Sequence, residues 1–226
     1  MTTAPRYALY YTPAPDSGLA RFGNAVLGYD SATGEAVAPP AGFGEDLDAV
    51  TQGPRVYGFH ATLKAPMRLA AGAGEADLLA EAARLAAGSR PVAVGRLVVA
   101  TLGRFTALVP AAAPPGLALF AAECVAALDP LRAPPTPAER ARRHPERLSP
   151  RARALLDRWG YPYVFEQFRF HMTLTAALPE SECAPWRERL ERLHGGGEDF
   201  AIEAVSVLRQ EGGAPFRLLE RFPLAG

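Results

Sequence analysis

Two stretches decide the fold: Tyr57-Gly-Phe-His-Ala-Thr-Leu-Lys-Ala65 and Phe168-Arg-Phe-His-Met-Thr-Leu-Thr-Ala176. Aligned on their histidines, they agree at Phe, His, Thr, Leu and Ala, five positions in nine. In a β-strand successive side chains point to opposite faces. Phe59, Ala61 and Leu63 therefore share an apolar, core-facing side, while His60, Thr62 and Lys64 share the other. In the second copy Phe170, Met172 and Leu174 face the core, and Arg169, His171, Thr173 and Thr175 lie opposite. Each strand presents a histidine beside a hydroxyl, outside the core.

The same order of elements surrounds both stretches. A strand is predicted over residues 6–12, stopped by Pro13, and Ser17 stands as the cap of a helix carrying Leu19, Phe22, Val26 and Leu27 at helical spacing. Residues 31–54, rich in Gly, Pro and Ala, read as a long loop before the first histidine strand at 56–65. A helix at 76–87 and a strand at 92–101 complete the first copy. The second copy runs as a strand at 105–109, a helix at 117–128, the histidine strand at 163–175, a helix at 181–194 and a strand at 200–209, with a last strand at 216–222. The arginine-rich stretch 133–160 is an insert of two short helices, opened by Thr136-Pro and Ser149-Pro. The expectation is one α+β domain over residues 1–226, duplicated into two lobes at about 6–101 and 104–209, with antiparallel sheets lining a central cleft.

Composition narrows the function. The 24 basic and 24 acidic residues cancel, which weighs against long nucleic acid or an anionic membrane as partner, since both require an excess of Lys and Arg. Cys124 and Cys183 are far apart and outside any CxxC pattern, so they read as free thiols of a reducing compartment. The N-terminal residues lack the basic and apolar regions of a signal peptide, and nowhere do 18 apolar residues run together. A cytoplasmic protein with no membrane partner is expected; its oligomeric state is left open.

Two imidazoles across a cleft can share acid and base roles near neutral pH. Thr62 and Thr173 can donate hydroxyls to the oxygens of a phosphate held between His60 and His171. No Asp or Glu stands on these faces as it would in a His-carboxylate metal site, so no metal and no cofactor are expected; zinc held by His60 and His171 is the competing reading. Lys64 shares the histidine face by parity. Arg132, Arg142 and Arg143 of the insert could reach the same phosphate, because guanidinium forks match its oxygens. Tyr163, with Tyr57 and Tyr161, could stack on a sugar or base. His144 belongs to a solvated arginine run, and His194 closes a helix, where a partly cationic ring suits the dipole.

The pair His60-Ala-Thr-Leu and His171-Met-Thr-Leu in a duplicated α+β frame resembles the two-histidine (2H) phosphoesterase superfamily, of LigT-like fold. Longer strings, among them YGFHATLKAP, ERARRHPERLSP and WGYPYVFEQFRFHMTLT, resemble a bacterial family of phosphonate metabolism proteins encoded beside carbon-phosphorus lyase genes. The resemblance implies a metal-independent phosphodiesterase that hydrolyses a small cyclic phosphodiester, such as a ribose cyclic phosphate, with one histidine activating water and the other protonating the leaving oxygen. A cyclic phosphodiesterase of RNA ends and a non-catalytic nucleotide- or phosphate-binding module are the alternatives.

Overall fold

The computed structural model describes residues 4–197 and 199–226. The RYALYY segment forms β1 (Arg6–Tyr11), and Ser17 caps α1 (Gly18–Leu27), its hydroxyl accepting the Ala20 N–H. A small hairpin of β2 (Tyr29–Asp30) and β3 (Glu35–Ala36) follows, then α2 (Glu45–Arg55). The expected loop at 31–54 thus holds a helix. Its first turn carries Glu45, Asp46 and Asp48, which the positive end of the helix dipole favours.

The first histidine strand is β4 (Ala61–Met67), later than the predicted 56–65, because residues 56–60 turn into it. Next come α3 (Glu75–Ala87), β5 (Val92–Leu102), β6 (Phe105–Pro110) and α4 (Leu117–Leu128). The insert holds α5 (Pro137–Ala141) and α6 (Pro150–Trp159), capped by Thr136 and Ser149 as their sequence predicts. The second histidine strand is far shorter than the predicted 163–175: only β7 (Met172–Thr173) pairs. Upstream, Phe165 sits at φ 53° and opens a 3-10 turn over Phe165–Gln167, which carries the chain off the sheet. Helix α7 (Glu180–His194) and strands β8 (Asp199–Ile202), β9 (Ala204–Gln210) and β10 (Arg217–Pro223) complete the chain.

Eight strands form one antiparallel sheet in the order β10-β9-β1-β4-β7-β6-β5-β8, so the fold is α+β. The order reads alike outward from the central β4–β7 contact. In it β5, the third strand of the first copy, pairs with β6 of the second, and β9 of the second pairs with β1 of the first.

One sheet face carries the main core. Leu9, Phe59, Leu63, Met172 and Leu174 are buried there against Leu78 of α3, Leu128 of α4 and Leu190 of α7. Each such side chain contributes roughly 1.5–3 kcal/mol by leaving water. The opposite face buries a smaller cluster of Ala8, Tyr10, Leu208 and Phe216. The alternation read from the two stretches therefore holds for Phe59, Ala61 and Leu63, and for Phe170, Met172 and Leu174, all buried. Cys124 on α4 and Cys183 on α7 are free thiols. Among the described residues no helix is long and apolar enough to cross a membrane.

Candidate functional site

Strands β4 and β7 meet at the centre of the sheet, with Ala61 opposite Met172. In an antiparallel pair one step along each strand gives the next partners. This register sets His60 opposite Thr173 and Thr62 opposite His171. Each histidine thus faces the threonine of the other copy.

Both rings are held by the same device. His60 Nδ1 lies 2.8 Å from the Gly58 carbonyl, and His171 Nδ1 lies 2.8 Å from the Arg169 carbonyl, each two residues upstream. A carbonyl only accepts, so each Nδ1 carries the proton and each Nε2 is left as an acceptor. Gly58 reaches its position at φ 70°, where a Cβ would press on Ser31 at 2.8 Å. The Thr62 hydroxyl is 3.2 Å from His60 Nε2 and donates to it.

The two pairs open into adjoining cavities. Thr62 and His171 line one of about 580 Å³. His60 and Thr173 line another of about 310 Å³. Phe105 lines both, its ring 5.6 Å from that of His171. Burial pushes the His60 imidazole down to about 4, with repulsion from His171 added and the Gly58 hydrogen bond opposing. His60 is therefore neutral at physiological pH.

The remaining candidates divide. Tyr163 is exposed and lines the larger cavity with Tyr161, their rings edge to face. Arg143 lies over the Tyr161 ring, 4.9 Å from its centre. Lys64 does not join the histidine face as parity predicts. Leu9 pairs with Lys64 and Tyr10 with Thr62, which leaves Leu63 as an extra residue, a β-bulge. Paired residues point to the same face, so Thr62 follows Tyr10 while Lys64 follows Leu9 to the other side. There its Nζ donates to the Val125 carbonyl at 2.9 Å and to Asp129 at 3.0 Å.

Arg132, expected near a phosphate, donates instead to Asp129 at 2.8 Å, as does Arg158 at 2.7 Å. Burial would raise the Asp129 carboxyl, but these hydrogen bonds and the Lys64 charge outweigh it and hold the group at about 2. Burial lowers Lys64 to about 8 against the pull of Asp129. Thr175 is buried and accepts the Thr106 N–H, so its hydroxyl is already engaged. His194 packs on Phe22 with Nε2 buried and unpartnered among the described residues, and burial lowers its pKa, contrary to the cationic ring expected there. Among the described residues no group of three or more His, Cys, Asp and Glu is placed to hold a metal.

Sequence reasoning missed Tyr10, whose ring stacks on His60, and Phe105, which joins the cavities. Strand parity could have found Tyr10, since it alternates with the core residues Leu9 and Tyr11; nothing local marks Phe105.

The chain belongs to the family described as "Protein of unknown function (DUF1045)", whose model matches residues 62–217. It is 39% identical over an alignment of 231 positions that covers 98% of the chain to Ribose 1,5-bisphosphate phosphokinase PhnN of Janthinobacterium sp. (strain Marseille). It is 40% identical over 216 residues, 94% of its length, to the protein of the same name in Laribacter hongkongensis (strain HLHK9). The chain spans about half the length of these curated relatives, 51% and 50%. Of the two resemblances drawn from the sequence, these matches support the narrower, bacterial one. They overturn the expected reaction. A phosphokinase moves a phosphoryl group onto its substrate, so the expected hydrolysis of a cyclic phosphodiester, on a small ribose phosphate or on an RNA end, is corrected by these names.

Proposed function

We propose that the adjoining cavities bind a phosphorylated ribose, and that the chain is a sugar-phosphate-binding part of a phosphoryl-transferring enzyme. The observation that carries this is the crossed pairing of His60 with Thr173 and Thr62 with His171, each ring anchored through Nδ1. Neutral His60 offers Nε2 as an acceptor for a sugar hydroxyl, displacing Thr62. The hydroxyls of Thr62 and Thr173 donate to the phosphate, beside the ring of His171. The name of the relatives, Ribose 1,5-bisphosphate phosphokinase, supports the substrate class. The paired histidines in a duplicated, two-lobed frame are the part of the two-histidine superfamily resemblance that this reading keeps.

The test is calorimetric titration of ribose 1,5-bisphosphate into wild type, His60→Gln, His171→Gln and Thr173→Val. Wild type binds, and each variant loses about tenfold or more, the effect of removing a hydrogen bond to a charged group, with circular dichroism preserved. Equal affinity in wild type and His171→Gln, or no binding by wild type, overturns the reading.

A further inference from the structure

Arg169 does two things with its two ends. Its carbonyl accepts the Nδ1–H of His171 at 2.8 Å, while its exposed side chain lines the 580 Å³ cavity that His171 also lines. Arg143 does not line this cavity itself but lies over the ring of Tyr161, which does. Most neighbouring guanidinium groups are taken: Arg132 and Arg158 by Asp129, Arg140 by Asp157 and Arg151 by Glu166. Among the described residues Arg143 and Arg169 have no carboxylate within ion-pair distance. A cation without a counterion on the wall of a cavity that also holds His171 and Thr62, with a second behind its Tyr161, attracts an anion there. The rest of the lining is largely aromatic and apolar, with Phe105, Tyr161, Val164 and Phe168, and suits the apolar face of a sugar ring.

We infer that Arg169, assisted by Arg143, forms a second phosphate site, and that it makes the cleft select a ribose with two phosphates over a ribose with one. This rests on the sugar-phosphate reading above and adds which member of that class is chosen. The Arg169 side chain is the specificity-determining group; its backbone carbonyl orients His171 whatever the side chain.

The experiment is titration of ribose 1,5-bisphosphate and of ribose 5-phosphate into wild type, Arg169→Gln, Arg169→Lys and Arg143→Gln, read as the ratio of the two affinities. Wild type prefers the bisphosphate by roughly 10- to 100-fold, the effect of one charge-assisted hydrogen-bonded pair. In Arg169→Gln the ratio falls to near one, and Arg169→Lys restores part of it, since an ammonium supplies charge without the fork. A ratio that stays at its wild-type value in Arg169→Gln, including the case where both affinities fall together, overturns the inference. Wild type that binds both sugars equally, with binding lost in His171→Gln, overturns this inference alone. Wild type that binds neither overturns it together with the reading it rests on.

Discussion

The imidazole of His60 lies on the phenol ring of Tyr10, with ring centres 3.7 Å apart and planes within 20°. Tyr10 is fully buried and comes from β1, two strands away from β7. One side of the histidine is thus fixed by a neighbouring strand while Nδ1 is fixed by Gly58.

Replacing Tyr10 separates these supports. Tyr10→Phe keeps the ring and should leave sugar-phosphate affinity within about threefold, since aromatic pairing is worth roughly 0.5–1.5 kcal/mol. Tyr10→Leu removes the stacking plane and should lower affinity about tenfold, with about 1–3 kcal/mol of stability lost in urea unfolding. Equal affinity in both variants would show that the stack does not orient His60.

The lowered pKa of the half-buried His60 ring makes folding sensitive to acid. The native ring takes a proton only near pH 4, whereas an unfolded histidine does so near 6.5. Between those values the unfolded chain binds more protons, so this contribution is complete above about 6.5 and lost as pH falls towards 4. The shift corresponds to about 3 kcal/mol. Urea unfolding at pH 7.5 and pH 4.5 should show wild type losing about 2–3 kcal/mol more than His60→Gln. Parallel losses would mean that the native ring protonates freely.

The Lys64–Asp129 cluster should respond unequally to its two halves. Asp129→Ala strands the buried ammonium with only the Val125 carbonyl, and breaking such a pair costs about 3–5 kcal/mol. Lys64→Met leaves Asp129 with Arg132 and Arg158 and should cost about 1–2 kcal/mol. Thermal unfolding of the two variants measures the order, and the reverse order would contradict the ledger of charges around Asp129.

Gly23 on α1 holds open the space of the Phe59 ring, which a Cβ would overlap. Phe59 is buried immediately before His60, so Gly23→Ala forces a shift next to the site. A cost of about 1–3 kcal/mol is expected, together with weaker sugar-phosphate binding. Gly18→Ala, on the same helix but with only the Arg21 guanidinium within 4 Å, provides the comparison and should stay near wild type in binding.

Much of the core was legible because alternation is a local property. Phe59, Ala61, Leu63, Phe170, Met172 and Leu174 sort themselves by parity alone, and with them His60, Thr62, His171 and Thr173. Lys64 escaped because a bulge is a property of cross-strand register, which no single strand displays. The aromatic run from Tyr161 to Phe168 reads as a strand by propensity, yet its rings line a cavity and Phe165 adopts a left-handed conformation foreign to a strand. Helix α2 was hidden by the glycines and prolines before it, although its acidic first turn was visible. The cations around Asp129 come from positions 64, 132 and 158, and only the folded chain brings them together.

The exchange of third strands has a consequence for synthesis on the ribosome. Strand β1 emerges first but has β9 as one of its two neighbours, so one of its edges stays bare until residue 210 has left the exit tunnel. Loops of such length close slowly. Throughout elongation Tyr7, Leu9 and Tyr11 belong to an unfinished sheet open to pairing with another nascent chain. Neither copy can mature ahead of the other, and expression yield should depend on how fast the last fifth of the chain follows the rest.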